Sequence, residues 1–318
     1  MKNRFLILLS FVLIVGRDVV CANTSMVRER ININRDWRYQ IDDPDGVGAA
    51  LHYSRLKPYL LPCANDFIIF GKRYQRPEGN PGENIAYVKS DFDDSEWRHL
   101  NLPHDWAIEG PFNIDYNGST GKLPYWGIRW YRKTLELSQD DAGKQIYLDI
   151  DGAMSYVSVW CNGQYVGGWP YGYASFRLDL TPYIKAGQKN VLAIRLDNPD
   201  DTSRWYPGSG IYRNVWLVKT SPVHVEQWGT FVRNQQVDSE IAVMEMGVNI
   251  ENHAGKDVQV KLQTSVYLQG KDGRPVGEEV TQSMTKDIAI KKDSWSSARF
   301  QFKVDKPKLW DIDTPNCY

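Results

Sequence analysis

Hydrolysis driven by side-chain carboxyl groups needs two of them, one kept protonated and one ionised, facing each other across the reacting bond. No pair of acidic residues in this chain is placed by spacing to meet that need. Glu109 and Glu251 stand in or beside turns without a partner set by the sequence, and the adjacent Glu278-Glu279 follows a turn and reads as a solvated surface. His104, His224 and His253 have no Ser or Cys nucleophile context, and no phosphate-cradling glycine motif is present. No catalytic residue is therefore assigned. The turn with the most chemistry is Ser203-Arg204-Trp205-Tyr206-Pro207-Gly208. There Arg204 can hydrogen-bond hydroxyl groups, and Trp205 or Tyr206 can stack on the apolar face of a pyranose. The competing reading is an arginine in an ion pair and a tryptophan packed beneath the loop.

The cysteines add neither a metal site nor a disulfide framework. Of the four, Cys21 falls at the end of a targeting segment, and Cys63, Cys161 and Cys317 have neither the number nor the spacing for one. Cys161 alternates with strand residues and reads as a small buried hydrophobe. No cofactor or metal is expected. A net charge of −1 gives no basic field for nucleic acid or anionic lipid. Lys2 and Arg4 precede an apolar run over residues 5–15, and Val20-Cys21-Ala22 resembles a small-residue cleavage site. Residues 1–22 are read as a signal peptide for export to the periplasm or beyond. The run is too short to span a membrane, and Asp18 fits lipidation at Cys21 poorly.

The elements that must hold these turns are strands. Ile146, Leu148 and Ile150 alternate with polar residues, as do Phe176, Leu178 and Leu180, and Leu192, Ile194 and Leu196. The run 155–161, then Asn162-Gly163, then 164–167 predicts a hairpin with a type I′ turn. No 12-residue stretch has a helical period. Residues 42–91, rich in Pro, Gly and Asn, read as long loops that carry function or cover a sheet edge, or as a disordered insertion. Beyond Thr220-Ser221-Pro222 the strands are longer, with Ala242, Met244, Met246, Val248 and Ile250 on one face. With 318 residues, 12 Trp and 18 Tyr, the chain suits two β-sandwiches: residues 23–222 and 223–318.

Several motifs converge on one family. They are Leu102-Pro103-His104-Asp105-Trp106, Gly127-Ile128-Arg129-Trp130-Tyr131-Arg132-Lys133, Val159-Trp160-Cys161-Asn162-Gly163 and the block from Ser203-Arg204-Trp205-Tyr206-Pro207-Gly208-Ser209-Gly210 to Ile211-Tyr212-Arg213-Asn214-Val215-Trp216. Together they resemble glycoside hydrolase family 2, its β-galactosidase-like members, over nearly all of the chain after the signal. The resemblance implies a jelly-roll, galactose-binding-like sandwich, then an immunoglobulin-like sandwich, then a barrel carrying two catalytic glutamates. The sequence breaks off at Asn316-Cys317-Tyr318, so the second sandwich is expected to lack its last strand and the barrel to be absent or separately encoded. By itself the chain is expected to bind a galactoside or other glycan weakly without cleaving it, or to act as a stand-alone carbohydrate-binding or structural sandwich protein. Asp105 resembles a family position that reaches the sugar, where a carboxylate can accept from adjacent hydroxyls. Its competing role is to cap local backbone amides. Arg204, Trp205 and Tyr206 are the other substrate-binding candidates. A family position for a monovalent cation falls on Ser203, which leaves that metal unsupported, and Asp200 and Asp201 are not assigned one.

Overall fold

The computed structural model describes residues 28–68, 72–200 and 203–318. The signal-peptide reading, including Cys21, falls outside them, as does Asp201. Ten strands build the first sandwich: β1 (Arg28–Asn32), β2 (Trp37–Ile41), β3 (Arg98–Leu100), β4 (Gly127–Glu136), β5 (Gln145–Ile150), β6 (Val157–Cys161), β7 (Gln164–Trp169), β8 (Phe176–Asp179), β9 (Lys189–Asn198) and β10 (Val215–Thr220). They form a four-stranded sheet, β1-β10-β5-β8, against a six-stranded sheet, β3-β2-β4-β9-β6-β7. The period-2 residues Ile146, Leu148, Ile150, Ile194 and Leu196 meet between the sheets, all nearly inaccessible. The hairpin of β6 and β7 turns at Asn162 and Gly163, with φ of 52° and 79° as a type I′ turn requires. Cys161 is fully buried, and that burial pushes its thiol up to about 12.

The segment 42–97 departs from a loop at a sheet edge. It holds a short helix, α1 (Tyr53–Leu60), and packs Val47, Leu51, Leu56, Leu60 and Trp97 onto the outer face of the larger sheet, against Trp130, Trp160 and Tyr165. The larger sheet is thus buried on both faces, with Tyr131 turned to the inner core and Trp130 to the outer one. Two arginines rivet the cover. Arg195 makes two 2.8 Å bonds to the Asp43 carboxylate. Arg132 bonds Asp94 at 2.8 Å and donates to the carbonyls of Tyr87 and Lys89. Buried guanidinium groups are tolerated only when paired this fully. Alternation fails over this segment because its contacts come from turns and single side chains. The short helix escapes a search for long periods because it is only eight residues and contains Pro58.

The second sandwich comprises β11 (Val223–Val237), β12 (Ile241–Asn252), β13 (Val258–Thr264), β14 (Leu268–Gln269), β15 (Pro275–Val276), β16 (Met284–Ile290) and β17 (Ser294–Asp305). The sheet β11-β12-β17 faces the pair β13-β16 across Val248, Ile250, Ile288, Ile290, Phe300 and Phe302. Strand β12 runs through Glu251 and ends one residue later, which puts Glu251 beside the turn. The fold is all-β, a jelly-roll sandwich followed by an immunoglobulin-like one. Among the described residues there is no βα repeat and no helix long and apolar enough to cross a membrane.

Candidate functional site

After β3 the chain passes through Pro103-His104-Asp105-Trp106, and the long motif block returns beside it 100 residues later. The His104 amide donates to the Ile211 carbonyl at 2.9 Å. This close approach needs glycine at 210, where φ is +81° and a Cβ would stand 2.5 Å from the His104 carbonyl and 2.7 Å from the Tyr131 hydroxyl. His104 itself is buried, which lowers its proton affinity and keeps the imidazole neutral. Its Nε2 donates to Glu109 at 3.2 Å, so Nδ1 accepts from the Tyr131 hydroxyl at 2.8 Å. Glu109, without a partner in the sequence reading, is held by both Arg98 nitrogens at 2.7 Å. Arg98 holds the Glu109 carboxyl below its ordinary range, so this group is an ionised acceptor and not a general acid.

On this base sits Asp105, half-buried. One carboxylate oxygen accepts from the Ala107 amide at 3.1 Å, the local capping role. The other accepts from the Tyr206 hydroxyl at 2.6 Å. Burial, and then the neighbouring Asp105, push the Tyr206 phenol far above its ordinary value, so it stays a donor. Each carboxylate oxygen has two lone-pair directions, so one acceptor site on each oxygen remains for a ligand. The structure thus brings Asp105 and Tyr206 into direct contact.

Trp205 and Arg204 stand differently. Trp205 is 60% exposed, not packed beneath the loop, and its Nε1 donates to the Tyr173 hydroxyl at 3.0 Å. That hydroxyl donates in turn to the Pro207 carbonyl at 3.1 Å, and the exposed ring of Tyr171 meets Tyr173 edge-on at 5.6 Å. Arg204 is exposed and has no ion pair among the described residues. The Ser203 hydroxyl is taken up by the Trp205 backbone at 2.9 Å. Beneath the turn, the Asn198 side-chain amide donates to the carbonyls of Tyr125 and Gly208, and Ser209 also donates to Tyr125. Tyr125 donates to Asp200 at 3.1 Å. No group of His, Cys, Asp and Glu among the described residues is arranged to hold a metal ion. Sequence reasoning missed Tyr171 and Tyr173; two tyrosines flanking Gly172 in a turn were the available signal. Among the described residues the arrangement offers a fixed carboxylate acceptor, an aromatic cluster and a guanidinium without an ion pair, and it holds no facing pair of carboxyl groups. Such groups are of the kind that hydroxylated rings engage.

Known proteins match this architecture. The model of the glycosyl hydrolases family 2 sugar-binding domain matches residues 86–221, and a second glycosyl hydrolases family 2 model matches 223–318. The β-galactosidase BoGH2A of Bacteroides ovatus is 40% identical over 303 residues, covering 94% of this chain and 30% of that protein. A putative β-glucuronidase of Formosa agariphila is 34% identical over 263 residues, covering 79% of this chain and 24% of its own. A solved family 2 member from Bacteroides cellulosilyticus superposes with a TM-score of 0.71 at 26% identity over 90% of this chain and 32% of that one. A β-glycosidase from Bacteroides vulgatus does so at 0.64 and 30% identity, over 91% and 30%. The chain spans less than a third of the length of these curated relatives.

Proposed function

Because the chain belongs to glycoside hydrolase family 2, we propose that it serves the hydrolysis of terminal β-galactosides, its jelly-roll domain forming one wall of the sugar site and its immunoglobulin-like domain spacing that wall from the catalytic barrel. The bond-cleaving carboxyl pair then lies outside the described residues, on a barrel that is joined to this chain or meets it as a separate partner. The domain division is 23–222 and 223–318, following an export signal over 1–22. One observation carries the reading: the Asp105 carboxylate is clamped by Tyr206 and the Ala107 amide with acceptor sites to spare. A preordered carboxylate accepts from adjacent ring hydroxyls at little ordering cost. The galactoside preference is supported by the 40% identity to a β-galactosidase. A uronide is the second reading, favoured by the exposed Arg204, whose guanidinium suits a carboxylate.

Calorimetric titration of the chain with methyl β-galactoside and methyl β-glucuronide tests this. One wall of a pocket gives weak binding, with a dissociation constant on the order of millimolar. Asp105→Ala is expected to abolish it, and Arg204→Ala to spare the galactoside. Galactoside binding untouched by Asp105→Ala would remove the proposed wall. The chain is expected to show no turnover of a chromogenic β-galactoside. Turnover abolished by one carboxylate substitution within 28–318 would overturn the placement of the catalytic pair.

A further inference from the structure

Where the two sandwiches meet, β11 departs from its ladder with β12. Val225 pairs with Ile250 and Thr230 with Val248, so residues 226–229 oppose Asn249 alone. Within this bulge Trp228 adopts φ +54°. The left-handed region is costly for a bulky side chain and persists where the surroundings impose it. The conformation does not bury the indole, which is 63% exposed. Its ring lies 6.3 Å from that of Phe67, itself 54% exposed and reaching over from the cover segment of the first domain. Phe67 rests on Trp169, and Trp169 stacks on Phe176.

Trp228 and Phe67 line a cleft of about 480 Å³ whose other walls come from both sandwiches. A second hollow of about 240 Å³ shares Phe176, Arg177, Gln227 and Trp228 with it, so the indole stands between two adjoining depressions. The polar groups are planar and only partly used. Glu226 accepts from the Asn249 amide at 2.9 Å through one oxygen. Arg177 spends Nε and one terminal nitrogen on Asp149, at 2.6 and 2.8 Å, and keeps the other terminal nitrogen. Asp179 accepts from the Thr181 amide through one oxygen. Flat aromatic faces flanked by carboxylate, amide and guanidinium groups suit sugar rings, which present apolar faces and hydroxyl edges. The charges restrict which sugar. In the larger cleft Arg177 is neutralised by Asp149, and the His253 imidazole is turned to Glu251 at 3.4 Å, so Asp179 and Glu226 dominate there, while the smaller hollow adds Arg28 and Arg30, the latter facing Asp151 at 3.5 Å. The larger cleft, where Phe67 and Trp228 stand, is therefore unfavourable to a uronate and leaves hydroxyls as the groups it can bind.

We propose that this interdomain cleft is a binding site for a neutral oligosaccharide of at least two units, with Trp228 as the stacking platform between them. The site shares no residue with the Asp105 face and does not depend on the reading of that face.

The test is titration of the chain with a neutral galacto-tetrasaccharide and, in parallel, tetragalacturonate, in wild type, Trp228→Gly, Phe67→Ala and Asp105→Asn. Glycine accepts the left-handed backbone, so Trp228→Gly removes the ring without disturbing the bulge; an unchanged melting temperature checks that it folds. The neutral tetrasaccharide is expected to bind wild type. It should bind Trp228→Gly about tenfold or more weaker, the scale of a lost aromatic contact of about 1.4 kcal/mol, and Phe67→Ala more weakly than wild type, while Asp105→Asn retains the cleft's contribution. The uronate is expected to bind no better to wild type than to Trp228→Gly. The proposal is overturned by absence of binding up to about 10 mM, by equal affinities of wild type and Trp228→Gly, or by complete loss in Asp105→Asn. That last result would assign all binding to the other face.

Discussion

Replacing Tyr206 by Phe removes one oxygen and leaves the ring. In the folded chain that oxygen donates to the Asp105 carboxylate at 2.6 Å. Hydrogen bonds to a charged acceptor contribute about 1.5–3 kcal/mol. Both partners are half-buried, so water recovers part of the loss, and the variant should be less stable by about 1–1.5 kcal/mol. For a domain of this size that lowers the melting temperature by about 3–5 °C. The pH dependence distinguishes this bond from a packing effect. Burial and Asp105 raise the folded phenol's pKa above its unfolded value, so its stabilisation is fully present below about pH 10. Above that pH the unfolded chain loses its proton first, and the stabilisation fades as pH rises towards the folded value. Melting curves of both proteins from pH 7 to 11 should therefore show a gap that is constant up to about pH 9.5 and narrows beyond it. Every other tyrosine cancels in the difference. Equal melting temperatures at pH 7, or a gap that stays constant to pH 11, would refute the assignment of this hydrogen bond.

Two further outcomes follow from the scaffold. Gly210→Ala forces a Cβ to within 2.5 Å of the His104 carbonyl at φ +81°. The left-handed penalty of about 1–2 kcal/mol and the backbone clash together should cost about 3 kcal/mol or more in denaturant titration. At the domain junction, His224 and His253 hold the Glu251 carboxyl down at about 2, and Glu251 raises His253. The glutamate's stabilisation is present above about pH 4.3 and lost as pH falls towards 2. That of His253 is present below about pH 6.5 and lost as pH rises through its folded value. Glu251→Gln should therefore destabilise most between about pH 4.5 and 6.5, and the difference should shrink below about pH 3 in melting curves.

Much of the fold was legible because the strands of the sandwich cores obey a strict period. Ile146, Leu148 and Ile150 alternate in the sequence and all point inward, and Asn162-Gly163 announces its own turn. The cover over 42–97 was not legible, since it is held by Asp43 and Asp94 on arginines 152 and 38 residues away. Nothing local encodes such pairings. Glu251 could be placed only in or beside a turn, since its neighbourhood of Asn, His and Gly hides a strand end that is fixed by His224 from another strand. At the site, the motif residues Asp105 and Tyr206 could be nominated singly, but their mutual bond spans 101 positions. The exposure of Trp205 and the tyrosines beside it depends on where the loop from β7 to β8 lands.

The same contacts indicate how the site divides its work. Asp105 is fixed from three directions: through the His104 amide on Ile211, through the Ala107 amide, and through Tyr206. The first of these ties ends on the fully buried Ile211, and the ring of the adjoining His104 is bonded to the fully buried Tyr131. The carboxylate therefore cannot be re-aimed without moving the core, and little conformational freedom is lost when a ligand engages it. Among the described residues Arg204 has no such anchoring, and its long side chain must be ordered on binding, at a cost of about 0.5–1.5 kcal/mol. In the proposed sugar wall, the rigid acceptor at Asp105 discriminates by hydroxyl geometry and the loosely held guanidinium of Arg204 tolerates variation. Removing the Asp105 carboxylate should therefore abolish binding of the galactoside in calorimetric titration, whereas substitutions at Arg204 should spare it and change only which ring substituents are tolerated.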